Sequence, residues 1–250
     1  MKKLNLILYS LFISLTNFGV LPAYATETEI LSFTGRAILP NGDVSYLEKH
    51  EVHQTPEGKA VKVITKYFRP DGTTEFASLE SYFDSRHEFL PRTIFEDQRF
   101  NHKEEVLFEN NEETLVIRHT NLKTKKVNEE RMKITEAMVH GQGYHNLVVK
   151  NLQNLKAKQK MALDFVVPSR QAYYRFDLTF LGKGVGVSAK SDWVALRLDI
   201  NNWFLKMFAD HISVEYDPTT KRLMTYSGLT NIPNDKGDNQ SLLIRMEYAD

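Results

Sequence analysis

Apolar and polar residues alternate along most of this chain. Leu115 and Ile117 stand against Arg118 and Thr120. Met161, Leu163, Phe165 and Val167 alternate up to Pro168, and Tyr174, Phe176, Leu178 and Phe180 oppose Arg175, Asp177 and Thr179. Val194, Leu196, Leu198 and Ile200 repeat the pattern, as do Leu242, Ile244, Met246 and Tyr248. A period of two with one wet face is the signature of antiparallel strands. It predicts strands over 30–39, 44–52, 60–69, 74–83, 93–100, 104–109, 114–120 and 127–135. The same reading places strands at 161–167, 174–180, 194–200, 212–216, 222–229 and 240–248. Turn residues separate them at Pro40-Asn41-Gly42-Asp43, Thr55-Pro56-Glu57-Gly58, Pro70-Asp71-Gly72-Thr73, Asp217-Pro218 and Pro233–Gly237. Asn41-Gly42 is the strongest hairpin signal, because both residues tolerate positive φ.

The period changes once. Over 144–157, Leu147, Val148, Leu152 and Leu155 share one helical face, while Lys150, Asn151, Asn154 and Lys158 lie off it. Gly141 and Gly143 mark its start. The expected fold is mainly β, a single curved antiparallel sheet or incomplete β-barrel meander, with one amphipathic helix at about 144–157 packed on it. Neither an internal repeat nor a linker divides 26–250, which reads as one β-rich domain.

The first 25 residues read differently. Lys2 and Lys3 precede a mostly apolar run to Val20, and Ala23-Tyr24-Ala25 has the small residues a signal peptidase requires. This predicts a signal peptide cut before Thr26, an exported protein and, most simply, a periplasmic one, with an extracellular location as the alternative. No later segment approaches the length of a transmembrane span. Without Lys2 and Lys3 the chain has 30 basic residues against 32 acidic ones, which argues against nucleic acid as a partner. The absence of cysteine excludes disulfides, thiolate catalysis and thiolate-bound zinc.

His140-Gly141-Gln142-Gly143-Tyr144-His145, Val167-Pro168-Ser169-Arg170 and Tyr226-Ser227-Gly228-Leu229-Thr230-Asn231-Ile232 form a pattern that resembles uncharacterised exported proteins of Gram-negative bacteria. The resemblance implies location and a β-rich fold, and it carries no activity. A curved sheet with one packed helix is also similar in architecture to the half-barrels of lipoprotein carriers.

Candidate chemistry is sparse. His140, Gln142 and His145 surround two glycines that let backbone approach a ligand; the plainer alternative is a turn entering the helix. Arg170 precedes Tyr173 and Tyr174, and a guanidinium beside tyrosines can hold a carboxylate or phosphate headgroup. The alternative is an arginine stacked at a sheet rim. Arg170 and either His140 or His145 are expected to line one polar mouth of the barrel, and Gln142 and Tyr174 are further candidate ligand contacts. His50 and His53, three apart in a strand, point to opposite faces. The 234–239 segment lacks the register of a calcium loop and reads as a hairpin tip. Trp203, Phe204, Met207 and Phe208 read as a plug at one barrel end or an exposed lipid-contacting patch. G-x-S-x-G, S-x-x-K and H-E-x-x-H are all missing, and no metal or cofactor set is read from the spacing. The expectation is a non-enzymatic periplasmic or envelope binding protein that holds a lipid or other amphipathic ligand. The alternatives are a hydrolase-type enzyme using His140 and His145, or an interaction module for envelope proteins.

Overall fold

The computed structural model describes residues 29–188, 190–201 and 211–249. The predicted leader and the Trp203–Phe208 cluster lie outside them. The first half of the chain forms β1 (Glu29–Ile38), β2 (Val44–Gln54), β3 (Ala60–Phe68), β4 (Glu75–Tyr82), β5 (Arg92–Asp97), β6 (His102–Glu109), β7 (Thr114–Asn121) and β8 (Val127–Lys133). The second half has β9 (Met138–His140), helix α1 (Gly143–Lys158), β10 (Lys160–Val167), β11 (Ala172–Lys183), β12 (Val194–Ile200), β13 (Ile212–Tyr216), β14 (Leu223–Leu229) and β15 (Ser241–Tyr248). Among the described residues no helix is long and apolar enough to cross a membrane.

All fifteen strands join one curved open sheet in the order β8 to β1, then β15 to β9. Each strand therefore neighbours its sequence neighbours, and β1 pairs antiparallel with β15. The one break in this ring falls between β8 and β9, the two edges. Residues 134–137 alone connect those edges, and such a link reaches roughly 17 Å at most. Its ends are tied to both sides: Ile134 N–H donates to Glu113 O at 3.0 Å, and Asp164 N–H donates to Ala137 O at 2.8 Å. The sheet has to curl until its edges face each other across a seam.

The direction of the strands explains the helix. A short link requires β8 and β9 to run in opposite senses. With an odd number of strands and β1 antiparallel to β15, one neighbouring pair must then be parallel. That pair is β9 and β10, with His140 opposite Val166. Parallel neighbours need a crossover connection, and α1 supplies it. The sequence pattern predicts an antiparallel sheet throughout. This pair departs from it because the three residues of β9 are too few to show a period.

The turns repeat one device. Gly42 N–H donates to Leu39 O while Leu39 N–H donates to Asp43 O, and Gly42 has φ +92°. Asn41 keeps negative φ and instead accepts the Asp43 N–H on its side chain at 3.1 Å. The five-residue loops at 55–59 and 234–238 use the same pair of backbone bonds, with Gly58 and Gly237 in the left-handed position.

Helix α1 buries Leu147, Val148, Leu152 and Leu155 against Leu163, Leu178, Leu196, Leu198 and Val214. It ends at Gln159, left-handed at φ +64°, whose N–H returns to Leu155 O. Lys156 and Lys158 in the last turn complement the helix dipole. A second cluster joins Ala37, Tyr46, Tyr67, Ala77, Phe95 and Ile244. The third spans the seam, packing Met138 and Val166 on Leu90, Val106, Leu115 and Ile117. The outer face is laced with ion pairs such as Lys62–Glu80, Lys66–Glu75 and Arg118–Glu129.

The helix begins under pressure. A Cβ on Gly143 would stand 2.1 Å from the Phe89 carbonyl oxygen, a backbone atom that cannot swing away. Gly143→Ala is therefore expected to lower the urea midpoint although alanine gains about 1 kcal/mol in helix propensity, because overpacking costs about 1–3 kcal/mol. Asn154→Ala, exposed on the same helix, should raise the midpoint slightly. A stabilised Gly143→Ala protein would show that the 84–91 loop yields freely.

Candidate functional site

Inward positions of the first half break the apolar rule. Glu48 and His50 on β2, Thr65 on β3, Ser81 on β4 and Thr93 on β5 are all buried, as is His140 on β9. Register aligns them, since His50 pairs with Thr65 and Ser81 with Thr93. They form a polar stripe inside the curl. The helix-bearing side opposite is apolar, with Tyr144, Phe165, Phe176, Ile212, Leu223 and Tyr226 only partly buried.

One hydrogen-bonded chain organises the stripe. Gln142 Nε2 donates to Thr65 Oγ1 at 3.0 Å, and Thr65 Oγ1 and His50 Nδ1 are 2.9 Å apart. His50 Nε2 lies 2.9 Å from Glu48 Oε2. An Nε2–H imidazole satisfies the whole chain: Thr65 donates to Nδ1 and Nε2–H donates to the carboxylate. Phe33 stacks on the His50 ring at 4.4 Å, and Tyr248 stacks on Phe33 at 4.6 Å. Gly35 makes room for Glu48, since a Cβ there would come within 2.9 Å of Oε2. A groove of about 460 Å³ opens beside Phe33, Lys49, His50 and Tyr248, within the range of small-molecule sites.

Tyrosines surround this chain. Burial first, and then the Glu48 charge, raise the Tyr46, Tyr67 and Tyr226 phenols above their usual range. Burial likewise raises Tyr144 and Tyr216, with Tyr226 acting on Tyr144 and Tyr144 on Tyr216. Among the described residues, the Tyr144 and Tyr216 hydroxyls, Ser81 Oγ and Gln142 Oε1 are buried with no hydrogen-bond partner. Such groups cost free energy unless a ligand or water meets them.

No family model and no curated protein matches the chain. The site therefore has to be read from its own geometry.

The sequence-predicted residues fall in three places. Gln142 enters the polar chain, and His145 stacks on Tyr216 at 5.6 Å in the same interior. His140 sits at the seam, Nε2 3.0 Å from Thr93 Oγ1 and Nδ1 3.4 Å from Val166 O. Arg170 follows β10 in a single 3-10 turn, Pro168–Arg170, exposed and without a hydrogen bond or ion pair among the described residues. Tyr174 pairs with Phe165 across β10 and β11. The five share no hydrogen-bonded cluster. Neither His140 nor His145 has an aspartate, glutamate or serine partner among the described residues. Thr65, His50 and Glu48 have the order of a nucleophile relay, yet the Thr65 hydroxyl, 1% exposed and held by Gln142, is closed to a substrate.

Sequence reasoning passes over Glu48, Thr65, Thr93, His102, Glu104 and His119, and it considers His50 only as a partner of His53. Their signal was a histidine and a carboxylate two apart, at Glu48-Lys49-His50 and His102-Lys103-Glu104, on the inward parity of a strand. The remaining partners come from register.

The His145 ring is pushed down to about 4 by burial. The unfolded imidazole takes its proton near 6.5, so between pH 6.5 and 4 the unfolded chain binds a proton that the folded one refuses. Stability should be unaffected above that window and fall within it by on the order of 1 kcal/mol per pH unit. His145→Gln should flatten this part of a denaturation series run from pH 7.5 to 5. An unchanged slope would assign the acid sensitivity elsewhere.

Proposed function

We propose that this is an exported, non-enzymatic binding protein of the bacterial envelope, most simply periplasmic, that holds a lipid or other amphipathic molecule inside its curled sheet. The observation that carries the reading is the division of the interior. Partly buried apolar side chains on β10, β11, β13 and β14 face a polar stripe on β2 to β5, with unpartnered buried hydroxyls at the boundary. An apolar tail suits the first surface, and headgroup atoms suit Tyr144, Tyr216 and Gln142. The groove beside Phe33, His50 and Tyr248 borders the end of the polar chain. The predicted leader supports export, and the charged outer face supports a protein in water rather than in lipid.

Native mass spectrometry of protein purified from an envelope fraction should find an amphipathic adduct that mild organic solvent removes. A chain that carries no adduct and takes up no fluorescent fatty acid when refilled would overturn the reading. Gln142→Leu should reduce retention of that probe by about tenfold, on the order of 1.4 kcal/mol.

A second measurement separates ligand contact from packing. Tyr144→Phe removes a buried hydroxyl that has no partner among the described residues, so the melting temperature of the emptied protein should hold or rise. Retention of the same probe should fall. A drop in melting temperature with retention intact would mean that the hydroxyl serves the fold.

A further inference from the structure

Three side chains outside the polar chain converge where the sheet fails to close. His102 and Glu104 are two apart on β6 and so share its inner face, and register sets Glu104 directly opposite His119 on β7. Glu104 Oε2 lies 3.3 Å from His119 Nε2 and 3.9 Å from His102 Nε2. One donor atom from each of the three residues falls within 4.8 Å of the other two. The two imidazoles meet edge to face, centroids 5.2 Å apart.

We propose that His102, Glu104 and His119 form a binding site for a divalent first-row transition ion, with zinc as the natural occupant. Ligands held about 2.0–2.2 Å from a tetrahedral ion are roughly 3.4 Å from one another, so the Glu104 distances of 3.3 and 3.9 Å already bracket the required edge. Two imidazoles and one carboxylate are the donor set of open zinc sites, and they leave a position for water or substrate. Nitrogen donors disfavour calcium and magnesium, which prefer all-oxygen shells.

A plain ion pair explains less. Glu104 needs one imidazole as a partner, and His119 is closer. His102 stands beyond hydrogen-bond reach at 3.9 Å and is still turned toward the same oxygen. Glu104 and His119 side chains are 14% and 21% exposed, whereas His102 at 34% leaves a side open to solvent for entry. The His119 Nε2–H donates to Pro168 O at 2.8 Å, across the seam from β7 to the end of β10. An ion bound at Nε2 would replace that proton on the same side of the ring, so Pro168 O would have to draw back from 2.8 Å to roughly 3.4 Å, which makes it a candidate for the open fourth position. Binding would thus hold the two sides of the sheet together. The inference does not depend on the lipid-binding reading, because the donors lie on β6 and β7 away from the chain of Glu48, His50, Thr65 and Gln142.

Chelator-treated protein titrated with zinc chloride in a calorimeter tests it. The expected result is saturable binding of one ion per chain, a raised melting temperature, and no response to calcium. His102→Ala removes the most exposed donor and should weaken zinc by about tenfold or more while leaving the metal-free melting temperature unchanged. Glu104→Gln should act in the same direction, and His53→Ala, outside the cluster, should bind like wild type. A cobalt derivative should show visible bands that vanish in His102→Ala. Absence of saturable binding, or equal affinity in wild type, His102→Ala and His53→Ala, would overturn the proposal.

Discussion

Four residues between β8 and β9 constrain everything else. They join the two outermost strands of a fifteen-stranded sheet, so the sheet can exist only as a curl whose edges meet. From that follow the opposite senses of β8 and β9, the parallel pair at β9 and β10, and the need for a helix to make the crossover. The open edges are managed locally. His140 N–H donates to Phe89 O, Gln171 Nε2 donates to Ile117 O, and Asn128 donates to Gln171 Oε1. The short β9 is fully buried, and β8 carries Glu129, Glu130, Arg131 and Lys133, which discourage pairing with another chain.

This closure differs from that of a sealed barrel. Side chains and single hydrogen bonds hold the seam where a ladder would otherwise run, with Val166 and Met138 packed on Leu90, Val106, Leu115 and Ile117. Histidines concentrate there as well: His140 on Thr93, and His119 on Pro168 O and Glu104. The Glu104 neighbour raises the proton affinity of His119 against the effect of burial, while burial lowers that of His140. Two rings on the same seam thus respond oppositely to their surroundings.

The alternation of Leu163 with Phe165, or of Leu196 with Leu198, shows itself in one strand at a time, and the glycine of each five-residue turn does too. Those features make the curved sheet and the helix legible in the sequence. Pairings are properties of two strands. Glu104 meets His119, and His50 meets Thr65, because of register, and no spacing within one strand records that. Gln142 and His145 were legible as polar residues at a glycine-marked helix start. The path of the chain after Pro168 leaves no periodic signal in the sequence. There the chain makes one 3-10 turn, with Gln171 left-handed at φ +49°, and Arg170 faces solvent.

The polar stripe itself argues for function over fold. β10 to β14 show that this sheet can line its inner face with Leu, Val and Phe, so closure does not demand Glu48, His50, Ser81 or Thr93. Helix α1 makes the same point at its first turn. The residue before Gly143 has helical backbone angles, φ −71° and ψ −11°, and not the extended geometry from which a side chain caps a helix. Gln142 occupies that position with no capping bond, and its amide reaches Thr65 instead. The Gly141 and Gln142 carbonyls accept the Tyr144 and His145 N–H groups at 3.1 Å each, which leaves the Gln142 side chain to complete a buried chain that ends on a carboxylate. The chain of Gln142, Thr65, His50 and Glu48 thus fixes a polar path across the interior that apolar residues at the same positions would not provide.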